Sequence, residues 1–93
     1  MSLKVIWTSR FKKDYKLAEK RGLDMNLIDD TIRMLARGEA LPQNFDDHSL
    51  SSNWKGYREC HIRPDWLLIY KIDDDSLVLA LARTGTHSDL FGK

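Results

Sequence analysis

Trp66-Leu67-Leu68-Ile69-Tyr70 is apolar on both phases of a strand, and this run constrains the fold more than any other stretch of the chain. A strand with one wet face alternates apolar and polar residues, so a run apolar on both phases belongs at the centre of a sheet covered, at least in part, on both sides. Its neighbours also read as strands. Tyr57 to Ile62 precedes it through Arg63-Pro64-Asp65, and Leu77 to Ala82 follows through Asp73 to Ser76. Connections that short join antiparallel neighbours, so the C-terminal half predicts a meander.

A covered sheet needs a second layer, and the N-terminal half supplies it. Leu3 to Trp7 is a short β-branched run ending at Thr8-Ser9, either of which can accept a hydrogen bond from the free amides that open a helix. In the helix predicted next, Phe11, Tyr15 and Ala18 share one face and Lys12, Lys13, Lys16 and Lys20 the opposite one, before Gly22 stops it. Asp24 fits the cap of a second helix, where Leu27, Ile28, Thr31, Ile32, Met34 and Leu35 form a broad apolar arc. Gly38 and Pro42 end that helix, leaving Gln43 to Asn53 as a polar loop carrying His48. The order is β-α-α-β-β-β. It predicts an α+β fold with two N-terminal helices packed on a mainly antiparallel four-stranded sheet. At 93 residues, the expectation is a single domain over residues 1–93.

Composition narrows the class. Hydrophobic residues at 42% and charged residues at 31% are a globular balance rather than a disordered one. No apolar run approaches the roughly 20 residues that cross a bilayer, and Met1 to Arg10 lacks the pattern of a secretory signal, so the expected location is cytoplasmic with no membrane partner. Cys60 stands alone and shares its strand phase with Ile62, which predicts a buried, unreactive thiol. A net charge of +1 says nothing about nucleic acid by itself. The cations nevertheless concentrate between Arg10 and Lys20, and the acids at Asp46-Asp47 and Asp73-Asp74-Asp75, so one basic face can exist without a high pI.

Strand alternation puts Glu59 and His61 on one side of their strand and Arg58 and Cys60 on the other. Asp65 follows at the turn, and His87 lies just past the last strand, where a loop can aim it at a ligand. If the last strand pairs with the central one, His48, His61, His87, Glu59 and Asp65 can meet in one shallow cleft, with Arg58, Arg63 and Arg83 as nearby cations. Cleaving RNA without a metal needs a base for the 2′-hydroxyl proton, an acid for the departing 5′-oxygen and positive charge on the phosphate. Histidine suits either proton role because its reference pKa is about 6.5. The residues therefore point to a small ribonuclease, with a noncatalytic RNA- or protein-binding module as the rival from another class. Zinc is the weaker reading of Cys60, His48, His61 and His87, because neither Cys-x-x-Cys nor His-x3-His spacing is present. Asp73-Asp74-Asp75 lacks the glycine and distal glutamate of a calcium loop and reads as a solvated turn. Of Trp54, Trp66 and Phe91, which can stack on bases, Trp66 is expected in the core and Phe91 near His87.

Three stretches together resemble a known family: Asp47-His48-Ser49-Leu50, the segment from Trp54 to Lys71 that holds Arg58-Glu59-Cys60-His61-Ile62-Arg63-Pro64-Asp65, and Arg83-Thr84-Gly85-Thr86-His87-Ser88-Asp89-Leu90-Phe91-Gly92. The chain is similar over nearly its whole length, the lysine-rich first helix included, to YafQ-type toxins of the RelE/ParE superfamily. The resemblance implies a RelE-like, microbial-ribonuclease-like fold. It implies the toxin of a bacterial type II toxin-antitoxin pair, an mRNA interferase that enters the ribosomal A site, cuts the message and so stops translation. It implies His87 as general acid, His48, His61 and Asp65 completing the site, Arg83 on the scissile phosphate and Phe91 positioning the mRNA. The family commonly has aspartate where this chain has Glu59, so the carboxylate here sits one methylene further out. Which group takes the 2′ proton stays open. The implied partners are a cognate antitoxin, the bacterial ribosome through its RNA, mRNA, and operator DNA only through the antitoxin; no cofactor or metal is implied. Lys12, Lys13, Lys16 and Lys20 gain a meaning as a ribosomal RNA contact. The rival inside the superfamily is a ParE-like gyrase-poisoning toxin without ribonuclease activity.

Overall fold

Thr8 fixes where the first strand ends and the first helix begins. Its Oγ1 accepts from the Phe11 amide at 3.2 Å and donates to the Leu81 carbonyl at 2.8 Å, so one hydroxyl joins three elements. In the computed structural model, which describes residues 2–92, these are β1 (Lys4–Trp7), α1 (Ser9–Lys20) and β5 (Val78–Gly85). The others are α2 (Met25–Ala36), β2 (His48–Ser49), β3 (Arg58–Arg63), β4 (Trp66–Asp73) and α3 (His87–Phe91). Asp24 caps α2 by accepting from the Asn26 amide, as its position in the sequence predicts.

The sheet runs β1-β5-β4-β3-β2. β1 is parallel to β5 and every other pair is antiparallel. Five strands replace the expected four. The addition is β2, in which His48 faces Glu59 and Ser49 faces Arg58 across the ladder. Two residues are too few to show alternation, so this strand is invisible to a period search. Glycine at φ +75° follows α2 at Gly38, and short 3-10 turns at Gln43–Phe45 and Ser52–Trp54 bracket β2.

Phe11, Ala18, Ile28, Ile32 and Leu35 from the helices pack with Cys60, Trp66, Leu68, Tyr70, Leu79 and Leu81 from one sheet face. Each large side chain fully buried there contributes about 1.5–3 kcal/mol relative to exposure. Leu67 and Ile69, on the opposite phase of β4, are fully buried as well, which is what the doubly apolar run requires. The lysines of α1 stay exposed on its far side. Among the described residues no helix is long and apolar enough to cross a membrane.

Candidate active site

β3 delivers two site residues from one face, because alternation sends Glu59 and His61 together while Cys60 joins the core. Glu59 is 5% exposed, and its Oε1 lies 3.3 Å from His61 Nε2 and 3.4 Å from His48 Nε2. One buried carboxylate oxygen thus bridges two imidazoles. His48 reaches it because β2 pairs directly with Glu59. The other ring nitrogen, His48 Nδ1, is 2.6 Å from the Asp46 carbonyl, which can only accept. Nδ1 therefore carries the hydrogen, and in the neutral ring Nε2 keeps its lone pair. Asp46 adopts the left-handed conformation, φ 48° and ψ 47°, that aims its carbonyl this way.

The third imidazole comes from the C-terminus. His87 is not in a loop, as its position past a strand suggests; it opens α3, and Thr86 with Asp89 forms a reciprocal capping box around that start. The turn residue Asp65 uses a single Oδ1 to accept from the His87 amide at 2.8 Å and from its Nδ1 at 2.6 Å. The amide first, and then the ring, hold the Asp65 carboxyl below the usual carboxylate range. With Nδ1 committed, Nε2 is the nitrogen of His87 left for other partners. The rings form a row with His61 in the middle, centroids 6.1 Å to His48 and 5.8 Å to His87. Imidazoles and carboxylates in such reach have the chemistry to act as a base, an acid and an orienting group for each.

Residues 3–92 match the family of the bacterial toxin of type II toxin-antitoxin systems, YafQ. The chain belongs to the YafQ family. It is 47% identical over 87 residues to the mRNA interferase toxin YafQ of Escherichia coli strain B / BL21-DE3, covering 92% of both chains. The crystal structure of YafQ from Escherichia coli strain BL21(DE3) superposes with a TM-score of 0.91 at 44% identity, over 97% of this chain and 99% of that one. YafQ in the Escherichia coli DinJ-YafQ complex superposes with a TM-score of 0.89 at 45% identity, over 97% and 99%. The α+β, RelE-like fold expected from the sequence is the fold of these YafQ structures.

In this YafQ-family chain not every expected site residue reaches the imidazole row. Arg83 is engaged elsewhere: its Nε and Nη2 hold the Asp14 carboxylate of α1 at 2.6 and 3.1 Å, with the guanidinium side chain 14% exposed. Arg58 lies on the Cys60 side of β3, where it binds Asp47 Oδ1 at 3.2 Å and lines an open groove of about 480 Å³ with Leu35, Arg37 and Tyr70. The buried Tyr70 hydroxyl donates to the same Asp47 oxygen at 2.6 Å, and burial followed by that carboxylate pushes its pKa up. Arg63 is exposed at the end of β3, and Phe91 is 38% exposed on α3. Trp66 is in the core, its Nε1 donating to Thr84 Oγ1 at 3.0 Å. Burial likewise pushes the Cys60 thiol up, so it is no nucleophile. Asp73 Oδ1 accepts from the Asp75 and Ser76 amides, an ordinary turn. No group of three or more His, Cys, Asp or Glu suited to a metal occurs among the described residues.

Sequence reasoning missed Asp14, Asp47, Arg21 and Asp89. Only the last had a legible signal, since Thr86-x-x-Asp89 is a capping-box pattern. Asp14 and Asp47 meet their arginines through the tertiary fold, and nothing in their spacing announces it.

Proposed function

We propose that this chain is a metal-independent endoribonuclease that enters the ribosomal A site and cuts mRNA by attack of the RNA's own 2′-oxygen. The single observation that supports this best is the row of three imidazoles, with Glu59 bridging two of them and Asp65 orienting the third. The YafQ family match favours it over the gyrase-poisoning reading. The proposed unit is one domain over residues 1–93.

His48 is the base in this reading. The Asp46 carbonyl holds the hydrogen on Nδ1, so Nε2 takes the 2′ proton while Glu59 stabilises the imidazolium that forms. The freed 2′-oxygen bonds to phosphorus and the bond from phosphorus to the 5′-oxygen breaks. His87 gives its Nε2 proton to that departing oxygen, and Asp65, which accepts from Nδ1, keeps the ring turned and compensates its charge. His61, the middle ring, serves the phosphate. The products are a 2′,3′-cyclic phosphate and a 5′-hydroxyl, with the proton count unchanged. Each positioned acid or base is worth roughly 10²–10⁴ in rate. Arg83 reaches a phosphate only by sharing itself with Asp14, so its proposed part is secondary; Phe91, exposed one helical turn past His87, stacks on a base. Arg58, across the sheet, has no proposed contact with RNA.

The lysines of α1 supply a sequence-independent attraction to ribosomal RNA. A cognate antitoxin is the other partner, as DinJ is for Escherichia coli YafQ; it neutralises by wrapping the toxin with a segment that orders on binding, and operator DNA is bound only through it.

Purified protein added to programmed ribosomes is expected to give new mRNA 5′ ends. His87→Ala should abolish them while ribosome binding persists. A chelator selective for zinc and copper that leaves magnesium on the ribosome should not change the rate. Cutting by His87→Ala at the parent rate would remove the assigned acid, and no cutting by the parent would favour a binding module. Reversing Lys13 and Lys16 to glutamate should weaken ribosome association and flatten its dependence on salt. Unchanged binding across salt concentrations would return those lysines to a merely solvated face.

A further inference from the structure

α1 and its C-cap residue Arg21 hold the segment around His87 at two points. Asp14 and Arg21 are seven residues apart and so lie on one face, about 10.5 Å apart along the axis. Asp14 Oδ2 accepts from the Thr84 amide at 3.2 Å besides holding Arg83. Two turns later, Arg21 makes a two-pronged contact with Asp89 of α3: Nη1 to Oδ2 at 2.6 Å and Nη2 to Oδ1 at 3.2 Å. The same Asp89 oxygen, Oδ2, accepts from the Thr86 amide at 3.0 Å, closing the capping box directly before His87. Gly85 allows this approach. A Cβ there would come within 2.9 Å of Asp89 Oδ2 and 3.0 Å of its Cβ, and the backbone sits at φ +157°.

These contacts bracket His87 from both sides, and Asp65 completes the enclosure from the β3–β4 turn. Arg21 and Asp89 have side chains 41% and 26% exposed. An ion pair that open to water adds little to global stability. Its forked geometry, however, fixes direction as well as distance. We propose that Arg21 is a positioning residue: by clamping Asp89 it sets the orientation of α3, and so the direction in which His87 presents Nε2. The lysine-bearing helix and the imidazole of α3 then move as one unit. As a statement about the rate of cutting, this rests on the ribonuclease reading above; as a statement about the His87 ring, it stands on geometry alone.

The test uses the full chain in two measurements. Single-turnover cutting on programmed ribosomes should fall between about tenfold and 10²-fold in Arg21→Ala, the usual effect of a small misplacement, with ribosome affinity and urea midpoint unchanged. Arg21→Lys should recover only part of the rate, because an ammonium lacks the planar fork. The charge swap Arg21→Asp with Asp89→Arg should recover less than Arg21→Lys, since arginine at 89 loses the capping box. In parallel, NMR of the His87 imidazole should show the Asp65-bonded Nδ1 hydrogen broadened in Arg21→Ala and retained in Arg21→Lys. A parent rate together with a parent His87 signal in Arg21→Ala would overturn the proposal. Should the parent itself fail to cut, the ribonuclease reading falls, and the NMR comparison still decides whether Arg21 orients the ring.

Discussion

Glu59 and Cys60 are neighbours in β3 and both are buried, at 5% and 0% exposure, yet they face different chemistry. Cys60 enters the apolar layer under the helices, where burial pushes its thiol up and leaves it inert. Glu59 turns to the other face, where one oxygen has two imidazole nitrogens within 3.4 Å. A six-residue strand therefore feeds the core from one phase and the candidate site from the other. The lesson is that stability and chemistry are separated here by a single peptide bond, so substitutions one residue apart should report on different properties.

The largest contrast should come from Leu68 and His61. Leu68 is fully buried on the helix side, opposite Cys60 in the β3–β4 ladder. Leu68→Ala should cost about 2–5 kcal/mol in urea denaturation, the price of a cavity in a dense core. His61→Ala, on the other face, should change stability by less than about 1 kcal/mol and slow cutting by at least about 10²-fold. If His61→Ala destabilised as much as Leu68→Ala, the division of labour between faces would be lost.

A smaller effect probes the polar cluster of Asp47, Arg58 and Tyr70 on the helix side. Tyr70→Phe removes the hydroxyl that donates to Asp47, the residue just before His48, and should cost about 1–2 kcal/mol because Asp47 loses a buried partner. Thermal unfolding of this variant measures it. A neutral outcome would mean that Arg58 alone satisfies Asp47 and that β2 needs no support from the core.

Much of this architecture was legible in the residues. The helices declared themselves through Thr8, Asp24 and their apolar faces, and the meander through the doubly apolar run in β4, because period and capping are local signals. Alternation alone put Glu59 and His61 together. β2 is not legible, since two residues have no period, and α3 is too short for an apolar face to announce it, although Thr86-x-x-Asp89 spells its cap. From the sequence alone Arg58 and Arg83 read as cations available to a phosphate. Their charges were visible, but Asp47 lies 11 residues from Arg58 and Asp14 lies 69 residues from Arg83, and only the folded chain brings them into contact.

The smallest expected effect is a difference in how the two layers respond to pH. On the open side, Asp65 is held below the ordinary carboxylate range of about 3.9 by the His87 amide and ring. Between the two values the unfolded chain binds more protons than the folded one, so stability rises with pH there: it is fully present above about pH 4 and drains as pH falls through the folded value. In the helical layer, Tyr15 of α1 donates to Asp29 of α2 at 2.7 Å, and burial, then that bond, raise its pKa to about 12. Here the folded chain holds the proton longer, so the stability is complete below about pH 10 and is lost as pH climbs towards the folded value. Urea midpoints across the pH range should therefore show an acid limb, shared with Asp89, that Asp65→Asn makes shallower and an alkaline limb, shared with Cys60 and Tyr70, that Tyr15→Phe makes shallower, each leaving the other limb in place. Were Asp65→Asn to leave the acid limb as steep as before, the carboxylate would not be bonded to His87 strongly enough to orient it, and the helix-side contrast would survive alone.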